Sequence, residues 1–185
     1  MKEEMLQIRW HGRGGQGAIT AAKIVALAAF DSGFRGVVMA PSFGTERRGA
    51  PVDASLKISK TKINDLGPIE HPDVVVVLDD ALLDEIDVTA GMKPGGILVV
   101  NTPKAREDHD FGPFKLATAD VTSLAEEAGL KRGIVNTGII GALAKALPIV
   151  PLPALLQAIE AEFEGSKGPE NAEAARLTHA HTEAE

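Results

Sequence analysis

The chain has 185 residues, with 26 acidic side chains against 19 basic ones and no cysteine. A net charge of −7 argues against a non-specific nucleic-acid binder, which would be basic, and without cysteine the chain supplies no disulfide, thiolate zinc site or Cys-ligated iron–sulfur cluster. No apolar run approaches the ~18 residues of a membrane span, and the start MKEEMLQIRWHG lacks the apolar stretch of a signal peptide, so a soluble, cytoplasmic protein is expected.

Short apolar runs alternate with helical patterns, which predicts an α/β fold. MLQIRWHG reads as a first strand, with Leu6, Ile8 and Trp10 on one face. A glycine-rich loop follows. AITAAKIVALAAF then reads as a helix apolar on nearly every side, and is expected to be buried. Gly33 and Gly36 punctuate its end, and GVVMAP is a second strand stopped by Pro41. In VDASLKISKTKINDLG the apolar residues alternate at Val52, Ala54, Leu56 and Ile58 before a polar turn at Lys60 and Thr61. That pattern predicts an antiparallel hairpin with one wet face. DVVVVLDD and GGILVVNT are continuous apolar runs, as expected of central strands, and ALLDEIDVTAGM between them should cross over as a short helix.

FKLATADV is a weaker strand, and SLAEEAGL a short helix with Ser123 as N-cap. NTGIIGALAKAL is a helix capped by Asn136 or Thr137. PLPALLQAIEAEF is amphipathic, with Pro151 and Pro153 in its opening turn. The polar GPENAEAARLTHAHTEAE is expected to be an exposed helix or a fraying tail. With no internal repeat and no long linker, the expectation is one three-layer α/β/α, Rossmann-like domain over residues 1–185. Its sheet should be mostly parallel but mixed, with a polar C-terminal helix or tail at 166–185.

The loop HGRGGQG carries Gly12, Gly14 and Gly17 in the spacing G-x-G-x-x-G, after a predicted strand and before a predicted helix. Glycines allow the sharp turn and let a ligand approach backbone N–H groups, while the helix points its positive end at the same spot. An anionic group such as a phosphate is the natural occupant. The blander alternative is a turn whose glycines only permit close packing. Arg13 and Gln16 argue against it, because a guanidinium fork suits phosphate or carboxylate and an amide both donates and accepts. The acid that would bind an NAD ribose is missing at the end of the second strand, and Asp31, at the right spacing, lies in the helix end.

A second loop, PSFGTERRGAP, sets Glu46, Arg47 and Arg48 between Gly44 and Gly49 with prolines on both sides. Such framing predicts a fixed conformation. Loops at the carboxyl ends of parallel strands share one crevice, so the two loops should meet if their strands are adjacent.

Taken together, IRWHGRGGQGA, FGTERRGAP, PDVVVVLDDALL, GGILVVNT and NTGIIGALAKAL resemble the gamma subunit of pyruvate:ferredoxin oxidoreductase and related 2-oxoacid:ferredoxin oxidoreductases. The likeness runs from about Leu6 to Phe163, and the ERRGAP spelling resembles the pyruvate and branched-chain enzymes. The resemblance implies a multi-subunit enzyme that converts a 2-oxoacid to acyl-CoA and carbon dioxide, with electrons passed to ferredoxin. Thiamine diphosphate, Mg and [4Fe-4S] clusters would then sit on partner alpha, beta and delta-type subunits. This chain would be a non-catalytic subunit, with no catalytic or metal-ligating residue of its own. On that reading Gly12, Arg13, Gly14, Gly15, Gln16, Gly17, Glu46, Arg47, Arg48, Asn101, Asn136 and Thr137 would line a coenzyme A or subunit contact, with Phe43 as interface material. Arg47 and Arg48 should then lie near an exposed apolar surface. The competing class is a free-standing Rossmann-like nucleotide-binding protein or NAD(P)-dependent oxidoreductase.

Other residues have simpler readings. His11 is expected to be a structural histidine at the loop, Asp79 and Asp80 to cap the segment after their strand, and Thr102 to line the same crevice. The pair His179 and His181 in the polar tail is not a metal signal on its own.

Overall fold

The computed structural model describes residues 5–41 and 48–184. In chain order the elements are β1 (Leu6–Arg13), α1 (Ala18–Asp31), β2 (Gly36–Pro41), β3 (Pro51–Ser59) and β4 (Val74–Val77). A 3₁₀ turn (Asp80–Asp84), β5 (Ile97–Asn101), a second 3₁₀ turn (Arg106–Asp108) and β6 (Lys115–Ala119) follow. The chain ends with α2 (Val121–Glu127), α3 (Gly138–Ala146), α4 (Leu152–Glu162), α5 (Gly168–His181) and β7 (Glu183–Ala184).

The seven strands form one mixed sheet in the order β2-β3-β1-β4-β5-β6-β7. β1 pairs in parallel with β4, from Ile8↔Val74 to His11↔Val77, and antiparallel with β3, from Leu6↔Ile58 to Arg13↔Pro51. All four valines of β4 are buried, because this central strand is covered on both faces.

Alternation along the strands divides the core. Ile8, Trp10, Leu56, Val76 and Val99 point to one face, where α1, α3, α4 and α5 contribute their buried side chains. Val75, Val77, Leu98, Val100 and Leu116 point to the other, where Leu82, Val88 and Met92 meet them. The direction of travel explains the division. From β1 to β2 the chain moves toward one edge, and from β4 through β5 to β6 toward the other. A single hand of crossover then requires the connections to lie on opposite faces. Three layers result, as expected, but the second outer layer consists of 3₁₀ turns and irregular chain.

Several local expectations change. β3 forms its hairpin with β2, and its other edge pairs with β1; residues 60–68 contribute no strand. Nor is its second face wet. Lys57 is only 2% exposed, and its Nζ donates to the Asp65 carboxylate at 2.9 Å and to the backbone oxygens of Asp65 and Gly67 at 3.2 and 2.8 Å. The crossover after β4 is a 3₁₀ turn, not an α-helix. The N-cap of α2 is Asp120, whose carboxylate accepts from both the backbone N–H and the hydroxyl of Ser123. Helix α1 buries its alanines but leaves Leu27 and Phe30 about half exposed, at 48% and 55%.

The largest change is at the C-terminal end. Residues 168–181 are a regular helix that packs on α2, α3 and α4 and buries Asn171, Ala172, Ala174, Ala175 and Thr178. Its polarity hid this, because the buried face is made of alanine and small polar groups rather than leucine.

Candidate functional site

Strand β1 ends in the glycine loop, and the loop ends at Gly17, the N-cap of α1 in the left-handed conformation (φ 82°). Gly15 is also left-handed (φ 93°). The geometry at Gly17 admits no side chain, since a Cβ there would lie 2.8 Å from Nδ2 of Asn136. Gly12 lets α1 approach, with Ala18 Cβ 3.2 Å from where its own Cβ would be.

Gln16 braces the loop from inside. Its Oε1 accepts from the Arg13 N–H at 2.7 Å, and its Nε2 donates to Asp79 at 3.0 Å. Gln16 N–H donates back to the Arg13 carbonyl at 2.9 Å. The second loop returns to the same place, although β2 is not the neighbour of β1. Gly14 N–H donates to Ala50 O at 2.8 Å, and Gly49 N–H to Gly14 O at 3.1 Å. Arg48 is exposed beside Gly15. Phe43, Glu46 and Arg47 lie outside the described residues.

The Arg13 guanidinium turns toward carboxylates. Nε donates to Asp79 at 2.9 Å, the two terminal nitrogens donate to Glu85, and one of them also donates to Gly49 O at 3.3 Å. Hydrogen bonds to Glu85, and then to Asp79, raise the Arg13 pKa further above its ordinary value. Burial tends to raise that of Asp79, but the bonds from Gln16, Arg13 and the Ala81 N–H together hold it below the usual carboxylate range. Asp79 also caps the 3₁₀ turn, accepting from Ala81 N–H at 3.1 Å. The capping role expected of it is present, together with a tie to the glycine loop that no sequence pattern marks. Glu85 had no sequence signal at all.

Two clefts flank the loop. One, of about 330 Å³, is lined by Arg13, Gly14, Gly15, Gly17, Ile19 and Val52, at the first turn of α1. The other, of about 380 Å³, lies at the ends of β4 and β5, between Gln16, Asp79, Asp80, Asn101, Thr122 and Arg132. The second occupies the point where strand connections reverse direction, the usual ligand crevice of open α/β sheets. Asn101 uses its amide to hold Leu78 O at 2.9 Å and Thr122 at 3.3 Å, and Thr102 donates to Asp80 at 3.0 Å.

Asn136 is different. It is only 7% exposed, lies against Gly17, and its side chain has no hydrogen-bond partner among the described residues. Thr137 turns away from the loop: it is fully buried, and its hydroxyl donates to Asn171 on α5 at 3.0 Å.

His11 accepts from Arg9 Nε at 3.1 Å. Burial, helped by the Arg9 charge, pushes its pKa down to about 4, so it is neutral near pH 7. His179 and His181 share α5, but no metal-holding cluster is present among the described residues. Among the described residues the exposed large apolar side chains are Leu27, Phe30 and Leu66, which belong to α1 and to the chain after β3.

A dinucleotide fold needs an acid at the end of β2 beside β1. Here β2 ends in Met39-Ala40-Pro41, and β3 separates it from β1. An acid there would lie two strand spacings from β1, about 10 Å, instead of one.

Comparison with known proteins agrees. The family profile described as pyruvate ferredoxin/flavodoxin oxidoreductase matches residues 7–180. The chain is 51% identical to the pyruvate/ketoisovalerate oxidoreductases common subunit gamma of Thermococcus kodakarensis, covering 92% of this chain and 94% of that one. It is 44% identical to pyruvate synthase subunit PorC of Methanothermobacter thermautotrophicus, covering 97% of each. The crystal structure of the pyruvate oxidoreductase subunit PORC of Thermotoga maritima superposes with a TM-score of 0.83 at 36% identity, over 98% of this chain and 99% of that one. Profile, sequence and fold agree over nearly the whole chain, and it belongs to the pyruvate ferredoxin/flavodoxin oxidoreductase family, among whose members it matches gamma subunits end to end.

Proposed function

We propose that this chain is the gamma-type subunit of an enzyme that oxidatively decarboxylates pyruvate or a branched-chain 2-oxoacid, and that its α1 cleft receives the phosphates of coenzyme A. The observation that carries the reading is the α1 N-terminus behind Gly17, which opens on a cleft walled by Arg13, Gly14, Gly15 and Thr20. Unsatisfied N–H groups of a first helical turn attract an anion. Gly15 would let the ligand approach the backbone.

The chain has no cysteine, so it does not fit as a holder of iron–sulfur clusters. Those, with thiamine diphosphate and Mg, belong on alpha, beta and delta-type partners that pass electrons to ferredoxin. A docking role for the same loops is favoured by the exposure of Gly15, Arg48 and Gly49.

Co-purification from the native source tests the assignment. The chain is expected with cluster-bearing and thiamine-bearing subunits, in a complex active on pyruvate or a branched-chain 2-oxoacid with coenzyme A and ferredoxin. Recovery as a lone monomer overturns it. For the cleft, Thr20→Glu on its wall puts a negative charge where the phosphates would sit, and in the complex it should raise KM for coenzyme A with kcat unchanged; an unchanged KM overturns that contact.

A further inference from the structure

Arg13 borders the α1 cleft, yet its guanidinium is committed on the side of the 3₁₀ turn. Its two holders differ. Asp79 is braced by Gln16 and by the Ala81 N–H. Glu85 lies just past the 3₁₀ turn, its side chain is 46% exposed, and among the described residues its carboxylate has no hydrogen bond other than those from Arg13. The pair is two-pronged, with one terminal nitrogen 3.2 Å from Oε2 and the other on Oε1. A phosphate or carboxylate ligand takes the same geometry on a guanidinium. An exposed ion pair is weak, so it can be exchanged.

We propose that Glu85 is a resident competitor for Arg13: it holds the outer end of the guanidinium away from the α1 cleft, and an anionic group entering that cleft must replace it. The inference rests on the anion-binding reading of the cleft given above. Asp79 acts as a pivot, keeping Nε while the terminal nitrogens change partner. Glu85 thereby sets how tightly the cleft takes an anion. Removing its charge should strengthen binding, the opposite of what damage to the site does.

The test uses the full-length chain as wild type, Glu85→Gln, Arg13→Gln and the double variant, with folding checked by circular dichroism. Each is titrated calorimetrically at low salt with coenzyme A and, separately, with inorganic pyrophosphate. Glu85→Gln is expected to tighten binding of both probes about three- to five-fold, the worth of an exposed ion pair. In the Arg13→Gln background the same change should do nothing. Equal or weaker binding by Glu85→Gln overturns the proposal, as does a gain that survives without Arg13, since that gain is only general relief of negative charge. Tightening toward pyrophosphate with no binding of coenzyme A keeps the exchange and overturns the coenzyme A reading. No binding of either probe by any of the four proteins overturns both.

Discussion

Gly141 on α3 and Ala175 on α5 meet backbone to backbone: a Cβ added to Gly141 would stand 2.0 Å from the Ala175 carbonyl oxygen and 3.0 Å from the His179 nitrogen. Helix propensity alone would make Gly141→Ala stabilising by about 1 kcal/mol. The collision decides the sign, because a helix backbone cannot yield as a side chain can. A loss of about 3 kcal/mol or more is expected in urea unfolding. Gly138→Ala should cost less, since its Cβ would meet chiefly the Val121 side chain, at 2.4 Å. Equal losses at the two positions contradict this account.

Gly17 faces two separate obstacles, a left-handed backbone and the Asn136 amide. Gly17→Ala should cost about 1–3 kcal/mol from strain and contact together. Asn136→Gly in the same chain removes the contact but not the strain, so it should recover only part of the loss. A double-mutant cycle by chemical denaturation reads the two shares. Full recovery would mean that the left-handed backbone costs nothing here.

Lys57 should prove more important than its ion-pair partner. Two of its three acceptors are backbone carbonyls, which survive any substitution at Asp65. Lys57→Met strands those carbonyls under the 60–68 segment and should cost about 2–4 kcal/mol. Asp65→Asn should cost clearly less, because its side chain is largely exposed and the two carbonyls still hold the ammonium. Thermal melts of the two variants at pH 7 give the order.

His11 gives the fold a pH dependence of known sign. Its pKa falls from 6.5 to about 4 on folding, chiefly by burial and then by Arg9. Between these values the unfolded chain binds more protons, so stability rises with pH across that window. The contribution is complete above about pH 6.5 and is lost as pH falls toward 4. Its full size is about 3 kcal/mol. Urea unfolding at pH 4.5 and 7.5 should show it, and His11→Gln should flatten the difference. A slope unchanged by that substitution rules His11 out as its source.

The parallel half of the sheet was legible because its residues obey one rule each. Four consecutive valines in β4 and the run Ile97–Val100 announce strands covered on both sides. The glycine loop was legible because strand, glycines and helix come in sequence. What escaped depends on partners far along the chain. Nothing in ALLDEIDV marks Glu85 as the partner of Arg13, 72 residues earlier. Lys57 reads as a solvent-facing residue until residues 65–67 fold over it. The face of α5 was missed because alanines pack against a glycine-bearing helix by close approach, which leaves no strong apolar stripe.

The place of α5 after α3 in the chain governs how the molecule is made. Helix α3 is buried from Gly138 to Ala144, and part of that cover comes from residues 168–181. During synthesis those residues leave the ribosome after α3 does. The apolar surface of α3 therefore stays open until residues 168–181 have emerged and folded back on it. Chains cut short before residue 168 keep that surface exposed, which makes them targets for chaperones and proteases rather than for assembly.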